Sequence, residues 1–320
     1  MCGVGFVGCL HSPLCASEGF FIASAPRWSL NQNPSAGIFS ADKLKDQFML
    51  KTRLLALAVA SLFVTFPSRA QFADAVVAYN SGSGFQPGFT TPASALGEPS
   101  RVTPGMYGGP VDPFNPAYLS SQLVSIGAGG SLTVQFNSPI LNRPGNPFGM
   151  DFNIFGNAGF IITNEFDLNT YTWIGTPATD GSLFGADATA TRVSVSTDGV
   201  NFFTLNPALA PTVDGLAPTD GRGDFALPMN SSLSGTSFAG LELAGLRSLY
   251  NGSGGGMGFD IAWAQDGMGN SVSLASISFV RVAVLGGNAE IDGFAVVPEP
   301  ASASLLVLGS LALWAMRRRH

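Results

Sequence analysis

The stretch Arg192-Val193-Ser194-Val195-Ser196-Thr197-Asp198-Gly199-Val200-Asn201-Phe202-Phe203-Thr204-Leu205 decides how the rest of the chain is read. Val193 and Val195 alternate with Ser194 and Ser196, the period of a strand with one buried face. Asp198-Gly199 is turn chemistry, and Phe202 to Leu205 returns. The stretch predicts a β-hairpin.

Its neighbours follow the same pattern. Short strands are expected at 75–79, 151–155, 159–163, 171–174 and 291–297, and residues 277–285 look like a strand buried on both faces. Residues 123–126 and 131–136, around Gly127-Ala128-Gly129-Gly130, suggest a second hairpin. Residues 80–115, rich in Gly and Pro, are expected to be loop. Leu241, Leu243, Leu246, Leu249 and Tyr250 carry a helical period that Asn251-Gly252 stops. Many short strands with turns between them argue for an all-β sandwich or jelly roll with one short helix.

Both ends depart from this pattern. After Met49, Lys51 and Arg53 precede an apolar run at 54–66, and small residues follow. This is the form of a secretory signal peptide, too short to span a bilayer. The cut could follow Ala70, in Ser68-Arg69-Ala70, or Ala75, in Ala73-Asp74-Ala75. Residues 1–48, with Cys2, Cys9, Cys15 and His11, precede this signal and are read as an over-extended reading frame or a long leader. The expected division is 1–48, a signal peptide at 49–75, a β body at 76–297 and a tail at 298–320.

The tail reads Val297-Pro298-Glu299-Pro300, then sixteen uncharged residues, then Arg317-Arg318-Arg319-His320. It resembles the PEP-CTERM sorting signal of Gram-negative bacteria. That resemblance implies a transmembrane sorting helix, with the basic end in the cytoplasm. It also implies cleavage near Pro298-Glu299-Pro300 by an exosortase, a membrane-embedded cysteine protease. The partners it implies are the general secretion machinery and that protease.

Between residues 71 and 297 there are 17 acidic residues and six arginines, and no Lys, His or Cys. The net charge of −11 excludes a nucleic-acid binder. No disulfide can staple this segment, and no zinc site can use Cys or His. A Ser-His-Asp triad, a Cys-His pair and a Schiff-base Lys are equally excluded. The glycine-rich loops lack the Lys and helix of a phosphate cradle, so no nucleotide is expected. Hard cations held by oxygen remain open.

The string from Arg192 to Phe202 is similar to the Val-Ser-x-Asp-Gly-x-x-Phe/Trp hairpin of discoidin-like, galactose-binding-like jelly rolls. Residues 123–157, 246–266 and 290–294 resemble bacterial exported surface proteins with the same tail. The resemblance implies a galactose-binding-like β-sandwich. Carbohydrate-binding members of that fold hold sugar in loops at one edge, and many carry a structural calcium.

Two candidate sites follow. Asp151 and Asn153, on one strand face, Asp260 after the glycine-rich loop 252–258, and Glu290 with Asp292 could supply oxygens to calcium; otherwise they cap turns and keep the surface acidic. Tyr171 and Trp173, with Asn169 nearby, share a face of the expected strand and form the best aromatic platform for a pyranose. Carboxylate pairs alone are weak evidence for a glycosidase, since seventeen acids make some pair inevitable. The expectation is a non-catalytic exported surface or matrix protein that binds glycan with calcium. The competing expectation is a structural component of an exopolysaccharide matrix without a specific ligand, and the least favoured is a glycan-cleaving enzyme.

Overall fold

The computed structural model describes residues 71–298, all within the unit Ala58–His320. The expected leader, the signal segment through Ala70, and the tail from Glu299 onward, with Pro300 and Arg317 to Arg319, lie outside the described residues. Among the described residues, no helix is long and apolar enough to cross a membrane.

The body is all-β, and every ladder between its strands is antiparallel. One sheet takes the order β1 (Ala75–Asn80), β5 (Ser131–Leu141), β16 (Ser276–Gly286), β11 (Ala190–Ser196), β12 (Phe203–Leu205) and β15 (Ala264–Gln265). A second runs β14 (Met257–Phe259), β6 (Phe152–Gly156), β17 (Asn288–Val296) and β4 (Val124–Gly127). A three-stranded sheet joins β13 (Leu241–Glu242), β10 (Ala178–Phe184) and β7 (Gly159–Ile162). Two short pairs, β2 (Val102–Thr103) with β3 (Gly109–Pro110) and β8 (Phe166–Asp167) with β9 (Thr172–Trp173), complete it.

The first two sheets contribute to one buried cluster, a sandwich-like core. Val134, Val195, Val280 and Val282 come from one sheet; Ile126, Ile154, Ile291 and Phe294 come from the other. Burial of this apolar area is the main stabilising term of such a fold. Phe152 and Phe259 stack at 5.5 Å between ring centres inside the four-stranded sheet.

The 192–205 hairpin forms as its sequence predicts, with Val195 opposite Phe203. Asp198 Oδ1 accepts from the N–H groups of Val200 (2.9 Å) and Asn201 (2.8 Å), and Gly199 takes φ 75°. These donors, with the Asn201 amide and the Ser196 hydroxyl, hold the Asp198 carboxyl well below the usual carboxylate range.

The second expected hairpin does not form. β4 pairs with β17, whereas β5 pairs with β1 and β16, so the chain changes sheets at Gly127–Gly130. The Gly129 N–H donates to Val284 O (2.8 Å), and Val284 N–H to Gly130 O (3.1 Å). Gly82, at φ 71°, fits its bare Cα against the carbonyls of Gly127 and Ala128 and the amide of Gly130. A β-carbon at Gly82 would occupy the space those backbone atoms fill, so the turn is closed by a third segment rather than by a strand partner.

β16 is not buried on both faces. Val280, Val282 and Val284 face the core, while Phe279, Arg281 and Ala283 are half-buried on the other side. A register shift between Ile277 and Phe279 separates the first buried position from the rest. Arg281 explains the outer face: its guanidinium lies 3.6 Å from the centre of the Phe202 ring, and its Nε donates to Thr133 Oγ1 (3.0 Å). The strand buried on both faces is β17, where Ile291 to Ala295 are all buried. Pro99 packs on one side of Gly293, and Ala295 joins a small cluster of Phe155, Phe225 and Phe72.

The helical segment is shorter than its period suggested. α2 spans Leu243–Tyr250, because Leu241 and Glu242 pair with β10 instead. Asn251 ends it in the left-handed conformation at φ 49°. Leu246 and Tyr250, one turn apart, bury against Phe160 and Phe238 of the preceding four-residue α1 (Gly235–Phe238) and β7. The expected loop at 80–115 holds a 3-10 turn at Pro92–Ala95 and the β2–β3 pair.

Candidate functional site

The aromatic platform lies on an excursion between β7 and β10. Asn164 fastens its neck: its Nδ2 donates to the carbonyls of Ile174 and Thr176, both at 3.1 Å, and its Oδ1 accepts from Ala178 N–H (2.7 Å). Ile174 N–H donates to Glu165 O (2.8 Å). Beyond the neck, Phe166 stands opposite Trp173 and their rings meet edge to face at 4.9 Å. The tip turns at Asp167-Leu168-Asn169-Thr170, with Asp167 Oδ1 accepting from Asn169 N–H (2.8 Å). Those local donors hold the Asp167 carboxyl below its ordinary value.

Tyr171 and Trp173 do not share a strand face, because the strand begins only at Thr172 and Tyr171 belongs to the turn, at φ 53°. Both are nevertheless solvent-facing: Tyr171 is 78% exposed and Trp173 37%. Leu168, Ile174 and Phe166 are exposed beside them. The tip therefore presents aromatic and apolar side chains to water although its neck is fixed by hydrogen bonds. Phe166 was missed in the sequence; the Asp-Leu-Asn-Thr turn between it and Trp173 was the available signal. Of the other exposed rings, Tyr118 donates its hydroxyl to Tyr107 O (2.9 Å), well apart in sequence from this hairpin.

The five cation candidates separate into distinct settings. Asp151 lies one residue before β6 and is fully buried. Its Oδ1 accepts from Arg143 N–H (2.9 Å) and Asn146 Nδ2 (3.0 Å), and its Oδ2 from Ile261 N–H (2.9 Å). Burial nevertheless pushes the carboxyl up to about 6, and Asp260 nearby adds its repulsion. Asp260 itself caps the 3-10 turn Ile261–Trp263 through Ala262 N–H (2.7 Å). Asn153 turns its amide to Phe225 O (3.0 Å), leaving its buried Oδ1 without a protein partner.

Glu290 and Asp292 are two apart on β17, but a register shift between Ile291 and Gly293 falls at Asp292. Asp292 is held by Ser100, and burial pushes it up to about 7. Glu290 accepts from the Asn157 amide and is raised by burial and by Asp187. Asp214, not singled out by sequence, is pushed up to about 6 by burial, with Asp187 and Glu290 adding repulsion. Its Oδ2 accepts from Ala188 N–H (3.3 Å), and its buried Oδ1 has no protein partner.

The structure thus brings Asp151 to Asp260, and Glu290 to Asp214 and Asp187, but does not gather the five into one shell. Among the described residues, no group of three or more acidic, His or Cys side chains is arranged to hold a metal ion. Most of these carboxylate oxygens are instead taken up by backbone and side-chain donors, the pattern of groups that fix loops to a core. An apolar cleft is lined by Met150, Met229, Phe238 of α1, Met257 of β14 and Trp263. From the expected sorting signal, Val297 is buried and donates its N–H to Asp151 O (2.9 Å), and Pro298 is the last described residue. No family model matches the chain, and no curated protein matches it.

Proposed function

We propose that the chain is an exported surface or matrix protein of a Gram-negative bacterium, sorted by an exosortase-type protease, whose β body is a non-catalytic glycan-binding module. In this reading the body is a jelly roll of the galactose-binding type. The observation that carries the binding role is the 164–178 excursion, which holds Phe166, Tyr171 and Trp173 at the surface on a fastened neck. A pyranose presents an apolar face to such rings while its hydroxyls meet Asn169 and Thr170. Stacking suits this body because its net charge of −11 repels anionic polysaccharide. Calcium bridging between its carboxylates and the polymer would relieve that repulsion.

The test is a titration of the exported protein against the host's purified exopolysaccharide, first with calcium and then with a chelator. Saturable binding that Trp173→Ala weakens is the expected result. Weak, unsaturable association in both conditions would replace the reading with a structural matrix component. Release of shortened glycan would point to an enzyme.

A further inference from the structure

Two bonds compete as the site of export processing, the one after Ala70 and the one after Ala75. Ala73-Asp74-Ala75 matches the small-x-small pattern more closely than Ser68-Arg69-Ala70 does. The fold, however, is already under way at Gln71. Gln71 O accepts from Val296 N–H (2.8 Å), and its Nε2 donates to Ser138 O (2.6 Å). Phe72 bridges Ala295 and packs with Phe155 and Phe225. Ala73 is only 2% exposed, inside the main core, and its carbonyl accepts from Gly97 N–H (3.0 Å). Asp74 N–H donates to Gln135 O (2.9 Å), and its Oδ2 accepts from Asn137 N–H (2.7 Å).

A cut after Ala75 would remove all of these. It would bare the outer side of β17 at Ala295, leave Gly97, Asn137 and Val296 donors unpaired, and open the edge of β5 at Gln135. It would also fall inside β1, where Ala75 stands opposite Gln135. A peptidase needs its substrate extended and unpaired, so once the sheet closes that bond is out of reach. Gln71 is the first paired residue described, and the Ala70–Gln71 peptide bond precedes it in the chain.

We infer that the signal is cut between Ala70 and Gln71, so that Gln71 is the mature N-terminus. Water adds across that peptide bond: Ala70 leaves with the new carboxylate and Gln71 keeps the new amine. The inference rests on reading residues 49–70 as an export signal.

The experiment is production of the full chain in a Gram-negative host, recovery of the exported protein, and identification of its first residue by N-terminal sequencing and mass spectrometry. A start at Gln71, as the free or cyclised residue, is expected. A start at Val76 would overturn the inference while leaving the export signal standing. An uncut cytoplasmic chain would overturn both. Ala70→Lys should accumulate the precursor; undiminished processing of that variant, with a start at Val76, would again overturn the assignment.

Discussion

Ser100 holds both oxygens of Asp292, its N–H donating to Oδ2 and its hydroxyl to Oδ1, each at 2.8 Å, across 192 positions of chain. Asp292 lies in the strand buried on both faces, so this pair fixes the proline-rich segment around Pro99 to the middle of the four-stranded sheet. Ser100→Ala removes one of two donors to a buried acid. We expect it to cost about 1–3 kcal/mol, read as a lower urea midpoint at pH 8.

The same acid gives the body an unusual pH dependence. Asp292 is pushed up to about 7, and Asp151 and Asp214 to about 6, all by burial. An acid raised in this way keeps a proton in the folded chain that the unfolded chain has released. Stability is therefore greatest near the unfolded value, about pH 4, and falls as pH rises toward 7. Asp198 works the other way, its stabilisation fading as pH drops below its ordinary value. A maximum near pH 4 to 5 is expected in urea denaturation across pH 3 to 8. Asp292→Asn should flatten the fall above pH 5, since an amide can donate to the Ser100 hydroxyl and still accept its N–H.

Gly82 and Gly84 share the left-handed conformation, at φ 71° and 74°, but not their surroundings. A β-carbon on Gly84 meets nothing within 4 Å, whereas one on Gly82 meets three backbone atoms of the 127–130 turn. Gly84→Ala should cost about 1 kcal/mol, the conformational penalty alone. Gly82→Ala should cost at least twice that, because backbone must move, and thermal melts of the two variants side by side would show it.

Trp173→Ala offers a clean separation of binding from folding. The side chain touches Phe166 on a hairpin outside the core clusters, so global stability should change by less than about 1 kcal/mol. If the ring carries the sugar, glycan affinity should fall about tenfold, or about 1.4 kcal/mol. Unchanged affinity with unchanged stability would remove the hairpin from the binding surface.

What the sequence made legible was local. The 192–205 hairpin was readable because valine alternation and Asp-Gly specify both strands and the turn between them. The helix ending at Asn251 was readable from its leucine spacing, though its first turn was lost to pairing with β10. The sheet change at Gly127–Gly130 was not, because Gly82, the residue that closes it, is distant in sequence. A run of β-branched residues made 277–285 look doubly buried, yet Arg281 marks its outer side, and β17 hid its burial behind Glu290, Asp292 and a glycine. Among the candidate site residues, Tyr171 and Trp173 are both exposed, but not on the shared strand face their spacing suggested, because Tyr171 lies in the turn, and Phe166 was not foreseen as their neighbour. Spacing also grouped carboxylates by chain position, while the fold gives them separate hydrogen-bond partners: Arg143, Asn146 and Ile261 for Asp151, Ala262 for Asp260, Asn157 for Glu290 and Ser100 for Asp292.

The pairing of Gln71 with Val296 has one more consequence. The first and last described stretches sit on adjoining backbone, so this body has the geometry of a ring opened at a single point. Joining Val297 to Gln71 through a few flexible residues would add little strain, and new ends could be opened at an exposed turn such as the one carrying Met268. Such a permuted body should keep every ladder among the described strands, because each strand from Gln71 onward stays in the chain.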